Sequence, residues 1–186
     1  LLFEAIFVIY LLMQKKENKE FAKVYDDYAV RIYNFIYYKT HHKETAEDLA
    51  SQTFLKAFSK YETFDINRGS VSSWLYRIAR NTVIDFYRTK KNILNIDDVW
   101  DLSKENGIER DFDTSEKLKE VKGYLEKLNS VQREIVMLRI WEGMSYKEIG
   151  EIIGKTEAGS KMAFLRTMQA LKKEIPALLM IFMLLF

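Results

Sequence analysis

Apolar residues recur at three- and four-residue steps through most of this chain. Phe21, Val24, Tyr25, Tyr28, Ile32, Phe35 and Ile36 do so within residues 17–40, which predicts a helix with one buried face. Lys39 to Lys43 reads as the break that follows. Thr45-x-x-Asp48 has the form of a capping box. A second helix is expected from there to about Tyr61, burying Leu49 and some of Phe54, Leu55 and Phe58. Thr63 to Ser70 reads as a loop, with Asn67-Arg68-Gly69 as its turn signal. Ser70 or Ser72 then caps a third helix that runs to about Lys91. Three such helices predict one small bundle.

Periodicity weakens across residues 92–114, which predicts a linker. Leu118, Val121, Leu125 and Leu128 open a second bundle, and Ile135, Val136, Leu138 and Ile140 mark its next helix, closed by Gly143. Ser145 and Glu148 form S-x-x-E, a capping box that satisfies orphan backbone donors from both sides. Ile149, Ile152 and Ile153 make one buried stripe, Gly154 supplies a left-handed stop, and Thr156 is an N-cap for the next helix. Helix, short glycine turn, helix is the helix-turn-helix pattern, although an ordinary helical hairpin would read the same way. Phe164, Met168, Leu171 and Ile175 form the inner stripe of the last helix. With no strand alternation and no internal repeat, the expected class is all-α. It consists of two small helical bundles joined by an acidic linker, the second bundle containing the helix-turn-helix. The expected boundaries are 15–91, 92–114 and 115–176, with apolar ends at 1–14 and 177–186.

Charge sharpens this division. The 186 residues carry a net charge of only +2, but the sign alternates along the chain. Residues 72–91 hold Arg77, Arg80, Arg88, Lys90 and Lys91 against Asp85. Residues 92–114 hold Asp97, Asp98, Asp101, Glu105, Glu109, Asp111 and Asp113 against Lys104 and Arg110. Residues 156–173 return to basic, with Lys161, Arg166, Lys172 and Lys173 against Glu157. Basic, acidic, basic fits two nucleic-acid-facing modules and a different kind of connector.

The chain has no cysteine, so it has neither a disulfide framework nor a thiolate metal site. Adjacent His41 and His42 point about 100° apart on a helix and do not share a metal easily, so they read as surface residues of a connecting loop. No Ser-His-acid set, phosphate-binding glycine loop or metal-ligand spacing stands out. No enzymatic activity, cofactor, metal or small-molecule substrate is therefore expected. Residues 1–13 and 177–186 are almost wholly apolar, yet a ten-residue helix covers about half a bilayer core. The first segment also lacks the positive flank and cleavage site of a secretory signal. Met13 before Gln-Lys-Lys-Glu reads as a natural start, so residues 1–12 are expected to be an artefact of upstream translation.

The stretch from Ser72 to Arg88 contains neither Gly nor Pro. Leu75, Ile78, Ala79 and Phe86 suit a core, whereas Arg77, Arg80 and Arg88 are costly to bury. Trp74, Tyr76 and Tyr87 add flat faces among these cations. Cations neutralise phosphates and aromatic faces stack on unpaired bases, so the composition suits a melted nucleic-acid strand. An amphipathic helix with a solvated arginine face and structural aromatics would have the same composition.

Three motifs together resemble the sigma-70 family of bacterial transcription initiation factors, in particular its small extracytoplasmic-function (ECF) type. The resemblance spans roughly Phe21 to Ile175. Ala46-Glu47-Asp48-Leu49-Ala50-Ser51-Gln52-Thr53-Phe54-Leu55-Lys56-Ala57-Phe58 resembles the family's polymerase-binding helix. Trp74 to Arg88 resembles its −10 promoter-reading helix, and Leu138-Arg139 through Lys173 its −35 helix-turn-helix. Order and spacing make the set specific where single motifs are not.

The resemblance implies a cytoplasmic, nucleoid-associated protein. Its implied partners are core RNA polymerase (β′ clamp helices and β subunit), promoter DNA and an anti-sigma factor. Asp48, Leu49 and Gln52 match the polymerase-docking pattern, while Thr53 departs from it because an acidic residue is usual there. For the −10 element, Arg77, Arg80 and Arg88 are assigned to phosphates. Trp74, Tyr76 and Tyr87 are stacking or core candidates, core being the better reading for Trp74. Asn81 and Asp85, one turn apart, are assigned to base edges, with an Asp85–Arg88 pair as the alternative. For the −35 element, Thr156 and Lys161 reach phosphates near the positive end of a helix dipole, with Glu157, Ser160 and Arg166 beside them. Met162 and Ala163 stand where small polar and basic residues are common, and Ser160 replaces a usual apolar one, so weak −35 specificity is expected. The acidic segment resembles a connector through the polymerase's RNA-exit path, or is a solvated tether. Two other readings compete: a stand-alone helix-turn-helix DNA-binding transcription regulator, and a helical adaptor making membrane contact through its apolar ends.

Overall fold

The computed structural model describes residues 19–91, 123–124 and 127–174, apart from the side chains of Arg68, Lys90, Lys91 and Glu174. The predicted linker, both apolar ends, and Leu118, Val121, Leu125 and Ile175 lie outside the described residues. Contacts divide the chain between Ile108 and Glu109 into two units.

In the first unit three helices pack on one another: α1 (Lys19–Thr40), α2 (Lys43–Lys60) and α3 (Val71–Lys91). The core takes Phe21, Ile32, Phe35 and Ile36 from α1, and Ala46, Leu49, Phe54 and Ala57 from α2. Leu75, Tyr76, Ala79 and Val83 of α3 complete it. Edge-to-face rings lock the helices, Tyr25 against Phe54 at 4.8 Å and Phe35 against Tyr76 at 5.1 Å. Leu55, a core candidate from periodicity, is instead 40% exposed.

The break between α1 and α2 is shorter than expected. Only His41 and His42 lie between the helices, and His41 takes the positive φ of 50° that turns the chain. His42 rather than Thr45 is the N-cap of α2, its Nδ1 accepting from the Thr45 backbone N–H at 3.3 Å. An imidazole nitrogen serves here as the acceptor that Ser, Thr, Asp or Asn usually supplies, so α2 starts at Lys43. Ser70 caps α3, its Oγ accepting from the Ser73 N–H at 3.1 Å. The intervening loop holds two short 3-10 turns, Tyr61–Thr63 and Ile66–Arg68, the second capped by the Asp65 carboxylate.

The second unit packs α4 (Ser130–Ile140), α5 (Tyr146–Ile153) and α6 (Glu157–Glu174) pairwise. Its core contains Leu128, Ile135, Val136, Leu138, Met144, Ile149, Ile152 and Leu171. Leu128, expected in a helix, lies in the bend before α4. Both capping boxes are complete: Asn129 with Gln132 opens α4, and Ser145 with Glu148 opens α5. Gly154 ends α5 in the left-handed conformation, with φ 72° and ψ 35°.

The inner face of α6 departs from the expected stripe. Ser160 and Thr167 are fully buried beside Leu171, while Phe164 and Met168 are half-buried. The Ser160 hydroxyl donates to the Thr156 carbonyl at 3.0 Å and that of Thr167 to the Ala163 carbonyl at 2.8 Å. Small hydroxyl side chains that satisfy themselves within their own helix are buried without an orphaned polar atom.

Candidate nucleic-acid interface

Helix α3 carries two different faces. At about 100° per residue, Trp74, Arg77, Asn81, Asp85 and Arg88 fall within a sector of roughly 80°. Arg77, Asn81, Asp85 and Arg88 are exposed and Trp74 is half-buried. The opposite sector holds Leu75, Tyr76, Ala79, Val83 and Tyr87, all in the core. Arg88 Nη1 lies 3.7 Å from Asp85 Oδ1 with both side chains more than half exposed. Such a pair contributes at most about 1 kcal/mol, so it yields readily to a phosphate or a base edge.

Two of the expected site residues are on the wrong side of this helix for surface contact. Arg80 is only 7% exposed and Tyr87 only 3%. The Tyr87 hydroxyl donates to the Lys39 carbonyl at 3.4 Å, and burial pushes its pKa up to about 12. Tyr76 is likewise fully buried against Phe35, which selects the core for both tyrosines. Trp74 stands at the start of α3 with its ring 4.8 Å from Phe64 and 6.3 Å from Tyr61. It ties the 61–70 loop to the helix while keeping part of its surface open.

On α2, Asp48, Gln52 and Leu55 share one exposed face, whereas Leu49 is 1% exposed. Leu49 is therefore in the core, as its periodicity predicts, and the apolar side chain exposed on this face is Leu55. Lys56 reaches across to α3, its Nζ donating to Thr82 Oγ1 at 3.1 Å. This contact lies in a groove of about 450 Å³ lined by Gln52, Lys56, Thr82, Asp85, Phe86 and Thr89. The groove brings Gln52 and Asp85 to one surface although they are far apart in sequence. Nothing in local periodicity signals that pairing.

In the second unit the turn between α5 and α6 is built on contact distance. A Cβ at Gly150 would stand 2.5 Å from the Lys155 carbonyl oxygen, closer than side chains tolerate. The Lys155 N–H donates to the Gly150 carbonyl at 2.9 Å and holds the turn against α5. Thr156 caps α6, its Oγ1 accepting from the Gly159 N–H at 3.0 Å. Thr156, Glu157 and Lys161 are exposed around the start of α6 and Arg166 at its middle, whereas Ser160 faces inward at 0% exposure. Behind them the Arg139 guanidinium lies over the Tyr146 ring at 4.7 Å and donates to the Met144 carbonyl at 2.6 Å, joining α4 to α5. Among the described residues no cluster of His, Cys, Asp and Glu has a metal-holding arrangement.

In the first unit the exposed face of α2 and the outer stripe of α3 meet along the groove lined by Gln52 and Asp85, and in the second unit α6 presents its own exposed face. Their order in the chain matches known proteins. Residues 24–93 match the family model for Sigma-70 region 2, and residues 118–171 that for Sigma-70, region 4. The chain is 33% identical over 167 residues to ECF RNA polymerase sigma factor BldN of Streptomyces coelicolor, covering 88% of this chain and 63% of that relative's length. It is 30% identical to RNA polymerase sigma factor YlaC of Bacillus subtilis, covering 86% of this chain and 94% of the relative. Identity to ECF RNA polymerase sigma factor SigM of Bacillus subtilis is also 30%, covering 81% and 91%. Two solved structures share the fold. One is sigma factor RpoE in complex with the anti-sigma factor NepR from Bartonella quintana, with a TM-score of 0.65 and 22% identity, covering 83% of this chain and 96% of that one. The other is CnrH in complex with the cytosolic domain of CnrY, with a TM-score of 0.60 and 19% identity, covering 91% and 94%. The chain belongs to the sigma-70 family of RNA polymerase sigma factors, in its ECF group.

Proposed function

We infer that this protein directs transcription initiation as a specificity subunit of bacterial RNA polymerase. The observation that carries this reading is the pairing of two nucleic-acid faces of different kind. The stripe Trp74–Arg77–Asn81–Asp85–Arg88 mixes cations, an aromatic and base-reading amide and carboxylate groups, as a melted −10 strand requires. The exposed side of α6 from its cap to its middle, with Thr156, Glu157, Lys161 and Arg166, suits a duplex −35 element in the major groove. Arg80, Tyr87 and Ser160 act from the core, positioning those surfaces.

The face of Asp48, Gln52 and Leu55 is the proposed polymerase-docking surface, with Leu49 beneath it as support. The modules are residues 15–91 and 115–176, joined by the acidic segment 92–114. An anti-sigma factor is a further partner on this reading, since both solved relatives named above carry one or a partner's cytosolic domain. The place of action is the nucleoid in the cytoplasm, and the role is binding rather than catalysis. Among the described residues no helix is long and apolar enough to cross a membrane. A stand-alone helix-turn-helix regulator leaves the first unit without a use.

Run-off transcription tests this reading. Core RNA polymerase is supplied with a library of promoter fragments, with and without the full chain. Initiation that depends on the chain and clusters at a shared two-element sequence supports it. No stimulation by folded protein with active core enzyme would overturn it, and retained duplex binding would then favour the stand-alone regulator.

A further inference from the structure

Two of the exposed large apolar side chains of the second unit sit on the helix that the reading above places in the major groove. Met162 is 48% exposed and Leu165 is 43% exposed. Their position on α6 is not arbitrary. At about 100° per residue, Ala158, Met162, Leu165 and Gln169 share a sector of roughly 60°. All four are exposed, and the sector lies opposite buried Ser160, Thr167 and Leu171. Lys161 and Lys172 flank this midline on one side, Arg166 and Lys173 on the other, all exposed. The helix therefore presents an uncharged crest between two cationic rows.

That cross-section matches a major groove. The groove admits one helix, its two walls carry phosphates, and its floor carries base edges. The cationic rows would meet the walls, and the crest would meet the floor. A protein partner on the same crest would need acidic groups on both sides of its apolar contact, whereas a major groove supplies negative charge on both walls by construction. At the floor, the crest offers a single hydrogen-bonding side chain, Gln169, and three apolar ones. The C5-methyl of thymine is the only apolar group that base edges display there. Ala158 to Leu165 covers about 10 Å of helix, the rise of about three base pairs.

We propose that Met162 and Leu165 read thymine methyl groups in the upstream promoter element, so that the chain selects a short run of A·T pairs by apolar contact. The proposal rests on the sigma-factor reading and deepens it. It replaces the weak upstream specificity expected from the departures from the family pattern at Ser160, Met162 and Ala163 with a specificity of a different chemical kind, carried by side chains that make no directional bond.

The test uses the full chain assembled with core RNA polymerase. A duplex pool randomised across the upstream element is selected for retention, and the best duplex is resynthesised with deoxyuridine in place of thymidine, one position at a time. Uracil pairs like thymine but lacks the methyl. The expected result is an A·T run in the selected element, with about a fourfold loss of affinity at each contacted position, the equivalent of one buried methyl. Met162→Ala and Leu165→Ala should each abolish the loss at one position. Both side chains are exposed, so the substitutions leave the core intact. Equal binding of thymine and uracil duplexes, or losses that persist unchanged in both variants, would overturn the proposal and leave the sigma reading standing. A Met162→Ala effect on assembly with core polymerase instead of on DNA would also overturn it, assigning the crest to a protein contact. Retention of no duplex at all would overturn the sigma reading itself.

Discussion

Replacing Gly150 by alanine sets two effects of opposite sign against each other. Gly150 lies inside α5, where alanine is favoured over glycine by about 1 kcal/mol from backbone entropy alone. The added Cβ, however, would lie 2.5 Å from the Lys155 carbonyl oxygen and 3.3 Å from the Thr156 carbonyl carbon. These are backbone atoms of the turn, so no rotamer change relieves the contact. The turn would have to open by about half an ångström, and overpacking that moves backbone costs about 1–3 kcal/mol. Opening also stretches the 2.9 Å bond from the Lys155 N–H to the Gly150 carbonyl, worth about 1 kcal/mol. The sum is a net loss of about 1–3 kcal/mol in a unit whose whole stability is on the order of 5 kcal/mol. Its midpoint should fall by about 5–20 °C. Hydrogen exchange of the full chain measures this locally: amides of 145–174 should exchange faster while those of 43–91 do not change. Unchanged or slower exchange in 145–174 would refute the reasoning, because the propensity gain would then exceed the contact cost.

Other outcomes follow from burial and charge. The Tyr87 hydroxyl is held at about 12 by burial against an ordinary value of 10. The folded chain thus keeps a proton that the unfolded chain releases, a stabilisation complete below about pH 10 and lost as pH rises through 12, on the order of 3 kcal/mol in all. Urea unfolding of Tyr87→Phe between pH 9 and 12 should show a shallower alkaline decline, and an unaltered decline would contradict this. It should not vanish, since burial also raises Tyr25 and Tyr61. Arg77→Ala should change stability by less than about 0.5 kcal/mol yet weaken promoter complexes, whereas Arg80→Ala should destabilise the first unit by about 1–3 kcal/mol. Thermal melts beside promoter-binding titrations separate the two; equal effects would mean that α3 does not divide its arginines by face. Lys161→Ala should weaken duplex binding and lower the salt slope by about one, because one phosphate contact is gone. An unchanged slope removes Lys161 from the phosphate-binding set.

The helix-turn-helix was legible because each of its signals is local. Ser145 and Glu148 satisfy each other's backbone groups within one turn, Gly154 stops the helix through its own φ, and Thr156 caps three residues on. The candidate binding faces were only partly legible. Arg77 and Arg80 look alike in a composition count, yet they point about 60° apart, and packing against α1 and α2 sent one to the surface and the other inside. Leu49 was buried as its periodicity indicated, whereas Leu55, a core candidate on the same helix, was turned to the surface for the same reason.

Residues within a few positions of one another thus determined the helices, their caps and the glycine turn, since a backbone hydrogen bond spans three or four residues and needs no distant partner. Tertiary structure decided which sector of each helix met water. It buried Ser160 and Thr167, exposed Leu55, Met162 and Leu165, and joined Gln52 to Asp85 across one groove. That choice depends on surfaces brought together from remote parts of the chain, where burial is settled by the sum of contacts rather than by any one residue's chemistry.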